Sequence, residues 1–304
     1  MLHRSSFRIV LCASVACALA LAPAVAVSRQ DARPLTPDEI RALVNQAISN
    51  QHRNDEVLAV FERRERRQTR KEETDTALFE DKAFRVVPTG TGTLRLLVEE
   101  NGQPVPAELS LRQLRDLEQA LVWALDPAEN KQKRRVEKFD KRSRERADLV
   151  DALRDAFLFT WQGRETSSGR TLVRLLFEPN PAFKSRSRNT ELFRHTRAVV
   201  WIDEAAAQLV RIEADLASDV SFGGGVLGKI YRGGRFVIEQ SQFADGVWFP
   251  TRYEYNFSGR KFVFGFELHE VTLASAYRRI GPPKEALATV RHELSNASPA
   301  PASR

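Results

Sequence analysis

The stretch "RFVIEQSQFADGVWFPTRYEYNFSGRKFVFGFELHEV", residues 235–271, decides the architecture. It reads as three strands, because β-branched and aromatic residues dominate and recur at a period of two. Asp245-Gly246 supplies one hairpin turn, and Ser258-Gly259-Arg260 is read as the next. In the middle strand Phe249, Thr251, Tyr253, Tyr255 and Phe257 share a face. In the last strand Phe262, Phe264, Phe266 and Leu268 do the same. Strands joined by turns this short pair antiparallel.

Just upstream, "DVSFGGGVLGKIYRGG" (219–234) carries Gly223, Gly225 and Gly228 in a G-x-G-x-x-G spacing. A dinucleotide turn must open a helix whose N-terminus holds the pyrophosphate. Here "KIYRGGRFVIEQ" follows, which is strand-like, and Ile230 stands where a phosphate loop needs Ser or Thr. The glycines are therefore expected to bend a curved sheet, with Phe222, Val226 and Leu227 packing inward. Further back, "AVVWIDEAAAQLVRIEADL" (198–216) gives two strands around a loop at 203–207. "TLVRLLFEP" (171–179) gives another, with "TSSGRT" (166–171) as its turn. "DKAFRVVPTGTGTLRLLVEENGQPV" (81–105) reads strand, turn, strand, and ends in the hairpin dipeptide Asn101-Gly102.

Helices occupy the rest. Thr36-Pro37-Asp38-Glu39 is an N-cap, a proline at N1 and a capping glutamate. Ile40, Leu43, Val44, Ala47 and Ile48 then form one apolar face. Leucines recur at helical spacing over 109–125, and 149–159 reads as a short amphipathic helix. Segment 129–148 holds nine Lys or Arg and five Asp or Glu, so it is a charged helical or mobile insertion. "EVLAVFERRERRQTRKEE" (56–73) is ambiguous: propensity favours helix, whereas its opening suits either state. The tail, 281–304, with Pro282-Pro283 and "NASPAPASR", is expected to be disordered. Residues 36–280 are thus one α+β domain dominated by an antiparallel meander.

The first 26 residues have Arg4 and Arg8, then an uncharged apolar run ending in Ala24-Val25-Ala26. This is the pattern of a secretory signal peptide cleaved near Ala26, the alternative being a retained anchor. Residues 27–35 are then a linker. Cleavage would remove two arginines and no acid, so the net charge falls from +7 to +5. It would also remove both cysteines, Cys12 and Cys17, excluding disulfides and thiolate chemistry from the mature chain. The expected location is the periplasm.

No catalytic pattern emerges. The histidines lack ligand spacing, H-E-x-x-H and G-x-S-x-G are absent, and the paired acids sit in turns or strand ends. The basic 129–148 segment has a single interleaved aromatic, Phe139, which argues against nucleic-acid binding. Neither metal nor cofactor is implied, and the expectation is a non-enzymatic protein. What remains is an aromatic set on paired strands: Trp201, Phe236, Phe249, Tyr253, Phe257, Phe262, Phe264 and Phe266. These residues suit either a packed core or an apolar cavity for acyl chains.

Three runs then carry a resemblance: "VWIDEAAAQLVRIEADL", "DVSFGGGVLGKIYRGGRFVIEQ" and "DGVWFPTRYEYNFSGRKFVF". They resemble bacterial outer membrane lipoprotein-sorting proteins of the LolA/LolB/RseB-like superfamily, and more closely an exported branch of it. Trp201-Ile202-Asp203 with "LVRIEA", and "DGVWFPT" (245–251), are the matching hairpins, and "NGQPVPAEL" (101–109) also fits. The resemblance is clearest over 195–280 and its motifs are structural. It implies an unclosed antiparallel half-barrel with helices packed on its concave side. The hollow would hold lipid or lipoprotein acyl chains, lined by the eight aromatics and lidded by the helices at 109–125 and 149–159. Peripheral membrane contact would be expected. A regulatory or sensor module of the same fold, binding an envelope protein, is the other function the resemblance allows.

Overall fold

The computed structural model describes residues 33–297 apart from 74, 76, 127–129, 186, 223–227 and 263, and apart from the side chains of 130, 131, 188 and 222. Residues 1–26, expected as a signal peptide, residues 27–32, the glycines at 223–225 with Val226 and Leu227, the Phe222 side chain, and 298–304 lie outside the described residues.

The chain begins with helix α1 (Pro37–Leu58), followed by strands β1 (Phe61–Arg70), β2 (Glu80–Pro88), β3 (Thr93–Glu100) and β4 (Gln103–Pro104). Helices α2 (Ala107–Leu125) and α3 (Asn130–Ala156) lead into β5 (Phe157–Ser167) and β6 (Arg170–Pro179). After a short α4 (Arg188–Glu191) come β7 (Thr196–Asp203), β8 (Gln208–Leu216), β9 (Val220–Phe222) and β10 (Gly228–Ile230). The chain closes with β11 (Arg235–Ala244), β12 (Val247–Lys261), β13 (Phe264–Arg279) and α5 (Pro283–Ala297). The sheet order is β4-β3-β2-β1-β13-β12-β11-β8-β7-β6-β5, antiparallel throughout, with β9 and β10 attached to β12. β4 and β5 do not pair, so the barrel is unclosed. The fold is the α+β half-barrel that the resemblance implied.

Residues opposite one another on antiparallel strands share a face. The register therefore sorts every strand into an inner and an outer set. The row Arg67, Thr272, Tyr253, Ile238, Ile212, Val200, Leu175 runs across seven strands on the inner, concave face. Over β5–β8 this face is covered by α1. Thr36 caps the helix in a capping box with Glu39, and Ile40, Val44, Ala47 and Ile48 are buried. They pack against Val173, Leu175, Phe177, Val200 and Ile202. The last turns of α3 (Val150, Leu153 and Ala156) complete this core.

A second core lies on the outer face of the β2–β3 edge. There Val87 and Leu96 meet Leu117 and Leu121 of α2 and Ala286, Leu287 and Val290 of α5. Gln113 of α2 pairs its side-chain amide with both backbone groups of Leu97, at 2.7 and 2.9 Å. That occupies part of an edge that β4, two residues long, leaves bare.

Two open readings are resolved and two expectations are corrected. Residues 61–70 form a strand although Glu and Arg fill them, because both neighbours supply opposite charges: Glu62 accepts from Arg85 and Arg278, and Arg66 donates to Asp81. Cross-strand pairing here overrides helix propensity. From residue 130 the charged segment runs on as one continuous helix, α3, into the helix read over 149–159, whose last three residues, 157–159, instead open β5. The second hairpin turn lies at Phe262, where φ is 54°, and not at Ser258–Arg260. Gly259 lies within β12, where glycine is needed because a Cβ would run into the Lys229 carbonyl oxygen of β10 and come within 2.9 Å of the Phe266 ring. Finally, 283–297 is not a disordered tail. Pro283 begins a helix, the position where proline costs no hydrogen bond, and the apolar stripe of α5 is buried on α2.

Candidate functional site

The half of the concave face that α1 does not fill, over β1, β2, β12 and β13, encloses a cavity of about 1110 Å³. Its floor is the inner row of β1 (Arg63, Glu65 and Arg67) beside Tyr253, Tyr255, Glu270 and Thr272. The C-terminal half of α1 forms one wall with His52, Asp55 and Glu56. The roof is α3: Phe139, Ser143, Arg146 and Ala147 recur at helical spacing on its underside.

Charge fixes these parts. Glu65 is 4% exposed and accepts from Arg63 Nε at 2.8 Å and Arg95 Nε at 3.0 Å. Arg146 bridges α3 to α1, donating to both carboxylate oxygens of Asp55 at 3.0 and 3.1 Å. His52 Nε2 lies 3.1 Å from Asp151, a second tie between the same helices. Thr272 donates to Glu270 at 3.2 Å. Burial pushes the Tyr253 phenol up to about 12. Burial, and then the charge of Glu270, raises Tyr255 as well.

Arg67 stands apart. Its guanidinium lies over Phe84, 5.4 Å from the ring centroid. Its carboxylate contacts are long, 3.6 Å to Glu80 and 4.0 Å to Glu270. Its Nε is buried without a hydrogen-bond partner among the described residues, and so is the Thr69 hydroxyl two residues further along the inner face of β1.

Beyond Arg70, which pairs with His269, β1 ends while the β12–β13 hairpin continues. Phe257, Leu268, Phe266 and Phe264 extend the inner face along this tip. Phe264 is 75% exposed, Phe266 39% and Leu268 38%, and Phe79 beside Thr69 is 61% exposed. Scattered exposed apolar residues are ordinary; a contiguous aromatic run adjoining a cavity is not.

The eight aromatics expected to line an apolar hollow are therefore dispersed. Of them only Tyr253 lines this cavity. Phe236 packs into the α1 core, and Phe249 is buried against Phe61, Phe243 and Tyr277. Trp201 faces the outer side, where Arg211 lies over its ring at 5.6 Å, because its neighbours Val200 and Ile202 take the inner positions. Phe257 is half-buried against Gly234, Phe262 sits in the turn, and Phe264 and Phe266 lie on the exposed tip. The cavity lining is mixed: charged side chains stand among Leu58, Ala59, Phe84, Pro88, Phe139 and Ala147. Half of its arginines and acids (Glu56, Arg63, Glu65 and Arg67) lie in 56–73, the stretch the sequence left ambiguous. Their alternation carries no hydrophobic period, so only strand pairing assigns them a face. The helix over 109–125, expected as a lid, is α2 and packs on the outer face instead.

Among the described residues no group of three or more His, Cys, Asp or Glu is arranged to hold a metal. No helix of the described residues is long and apolar enough to cross a membrane.

No protein-family model and no curated protein matches the chain. Among solved structures it is similar to a domain named for outer membrane lipoprotein sorting from Vibrio parahaemolyticus, at 10% identity and a TM-score of 0.31, over 77% of this chain and 92% of that one. It is also similar to a LolA superfamily protein from Nitrosomonas europaea, at 11% identity and 0.32, over 83% and 97% of the two chains. A DUF1329 family protein from Desulfovibrio piger matches at 11% and 0.27, over 81% and 94%.

Proposed function

We propose that this chain is an exported, non-enzymatic protein of the cell envelope that binds an amphiphile, a lipid or the acyl group of a lipoprotein, on the concave face of its half-barrel. The observation that carries the reading is the continuity of one face: a charge-lined cavity runs directly into the exposed row Phe257, Leu268, Phe266, Phe264. A ligand with a polar end and a long apolar end fits that sequence of surfaces. Burial is the driving force. Each methylene removed from water contributes about 0.8 kcal/mol, so a chain laid along the tip binds reversibly rather than permanently. The signal-peptide pattern at 1–26 and the lack of a catalytic constellation in the sequence support an exported carrier.

The test is lipid mass spectrometry on the mature form purified from a bacterial envelope, with titration by a fluorescent acyl probe. Co-purifying lipid and saturable probe binding are expected, both lost in Phe264→Glu with the thermal melt unchanged. Lipid-free protein that ignores the probe sinks this reading and leaves the partner-binding module in its place.

A further inference from the structure

The floor of the cavity and the next inner position of β1 beyond it hold two buried polar atoms in need of partners: Arg67 lines the cavity, and Thr69 follows it on the same face. Arg67 Nε and Thr69 Oγ1 point from adjacent inner positions of β1 and have no hydrogen-bond partner among the described residues. Buried polar groups are almost always satisfied, and a pair left open in one place marks where a ligand or water completes the set. The other arginines of the cavity are engaged: Arg63 and Arg95 by Glu65, Arg146 by Asp55. Arg67 is held only loosely, since Glu80 is drawn at 3.0 Å to Lys82 and Glu270 stands 4.0 Å away.

The ligand chemistry follows from what surrounds this pair. Thr69, Glu270 and Tyr255 form one cross-strand row. A simple anion at Arg67 would meet the Glu270 carboxylate, and a simple cation at Glu270 would meet the guanidinium. The geometry points to a phosphate–ammonium zwitterion, carried as a lipid headgroup: phosphate oxygens accept from Arg67 Nε and the Thr69 hydroxyl, and a primary ammonium donates to Glu270. This rests on the amphiphile reading above and names its headgroup. From the Glu270 row, the inner face continues through Phe257 and Leu268, then Gly259 and Phe266, to Phe264. That is six residues of strand, roughly 20 Å, along which the chain of such a lipid would lie.

Lysophospholipids of one chain length, titrated against a bound fluorescent acyl probe, separate the possibilities. Lysophosphatidylethanolamine is expected to compete at least roughly tenfold better than lysophosphatidylglycerol or the free fatty acid, the scale of one charge-assisted hydrogen bond. Glu270→Gln should erase the preference over lysophosphatidylglycerol, which shares the phosphate but lacks the ammonium, and Arg67→Gln the preference over the free fatty acid, with the thermal melt unchanged in both. Using two variants on opposite charges guards against a fold defect in either. Equal competition by all three lipids overturns the headgroup site and leaves the amphiphile reading standing. Failure of the probe itself to bind overturns both. Phosphoethanolamine without a chain is the remaining arm. If it binds as tightly as the lysolipid, the zwitterion site stands but its source is a soluble ligand, and the lipid assignment is overturned.

Discussion

The concave face is one continuous surface with two unlike halves. Over β5–β8 it is dry: α1 lays Ile40, Val44, Ala47 and Ile48 on Val173, Leu175, Val200 and Ile202, and each of these eight is under a tenth exposed. Over β1, β2, β12 and β13 the equivalent inner rows carry Arg63, Glu65, Arg67, Glu270 and two tyrosines, and α3 bridges above them without filling the space. The same sheet, curved the same way, builds a core on one side and leaves a chamber on the other. The difference is side-chain chemistry alone. Apolar inner positions recruit a helix to exclude water, whereas paired charges hold the roof off at the length of an Arg146–Asp55 bridge. Stability should therefore reside in the first half and binding in the second.

The largest effect should come from the dry half. Leu175 is completely buried between α1 and the sheet. Leu175→Ala should lose about 2–5 kcal/mol in a denaturant titration, since it removes apolar contact and leaves a cavity. A loss below about 1 kcal/mol would mean that α1 is not the main stabiliser of this half.

Alkaline pH probes the chamber's floor. Burial raises the Tyr253 phenol to about 12 from an ordinary 10, and raises Tyr255 and Tyr277 as well. A raised acid is one whose neutral form the fold prefers. Stability is therefore intact below pH 10 and declines as pH rises from there, by about 3 kcal/mol for Tyr253 alone once pH passes 12. Ultraviolet titration of phenolate formation should show these tyrosines ionising late in native protein and near 10 in urea. Coincident titrations in the two states would show that the floor is open to bulk water.

Much of this contrast was legible in the sequence, but unevenly. The apolar stripe of α1 and the alternation in β6, β7 and β11–β13 identify the dry half and the meander, because hydrophobic periodicity reports burial. The chamber has no such signal. Arg63, Glu65 and Arg67 face inward only because β13 and β2 fix the register of β1, and a charge-rich strand looks like a solvated helix until its partners are known. The tip was half-read. The alternation puts Phe264 and Phe266 on a common face, as the structure does, but a turn centred on Gly259 falls three residues before the observed one at Phe262, because glycine signals a bend when read alone. What requires glycine there is the Lys229 carbonyl of β10 pressed against it, with the Phe266 ring beside it. The α5 tail was missed for the complementary reason: Pro282-Pro283 reads as a break, while its buried stripe becomes meaningful only against α2.

The seam between the halves is Asn54, 3% exposed at the C-terminal end of α1. Its amide donates to Gln208 at 2.8 Å and its carbonyl accepts from the Trp248 backbone at 3.2 Å, tying the helix to the β7–β8 and β11–β12 turns at once. Asn54→Ala strands Trp248 N–H and the Gln208 carbonyl oxygen, and should cost about 1–3 kcal/mol by thermal unfolding. Probe binding should also weaken, because Asp55, the anchor of the roof, is the next residue. Unchanged binding alongside the stability loss would mean that α3 holds its place without α1.

The smallest stability effect is expected at the tip, and it separates the two halves most sharply. Phe264 is 75% exposed, so Phe264→Ser removes almost no buried area and should change stability by no more than about 0.5 kcal/mol. If the tip is a binding surface, that variant should nevertheless lose affinity for an acyl probe, since burying a phenylalanine on ligand binding contributes roughly 1.5–3 kcal/mol. A change that melts the protein would place Phe264 in a core and merge the two halves into one. A change that alters neither stability nor binding would leave the aromatic run as bare surface, and the chamber alone would have to account for any ligand.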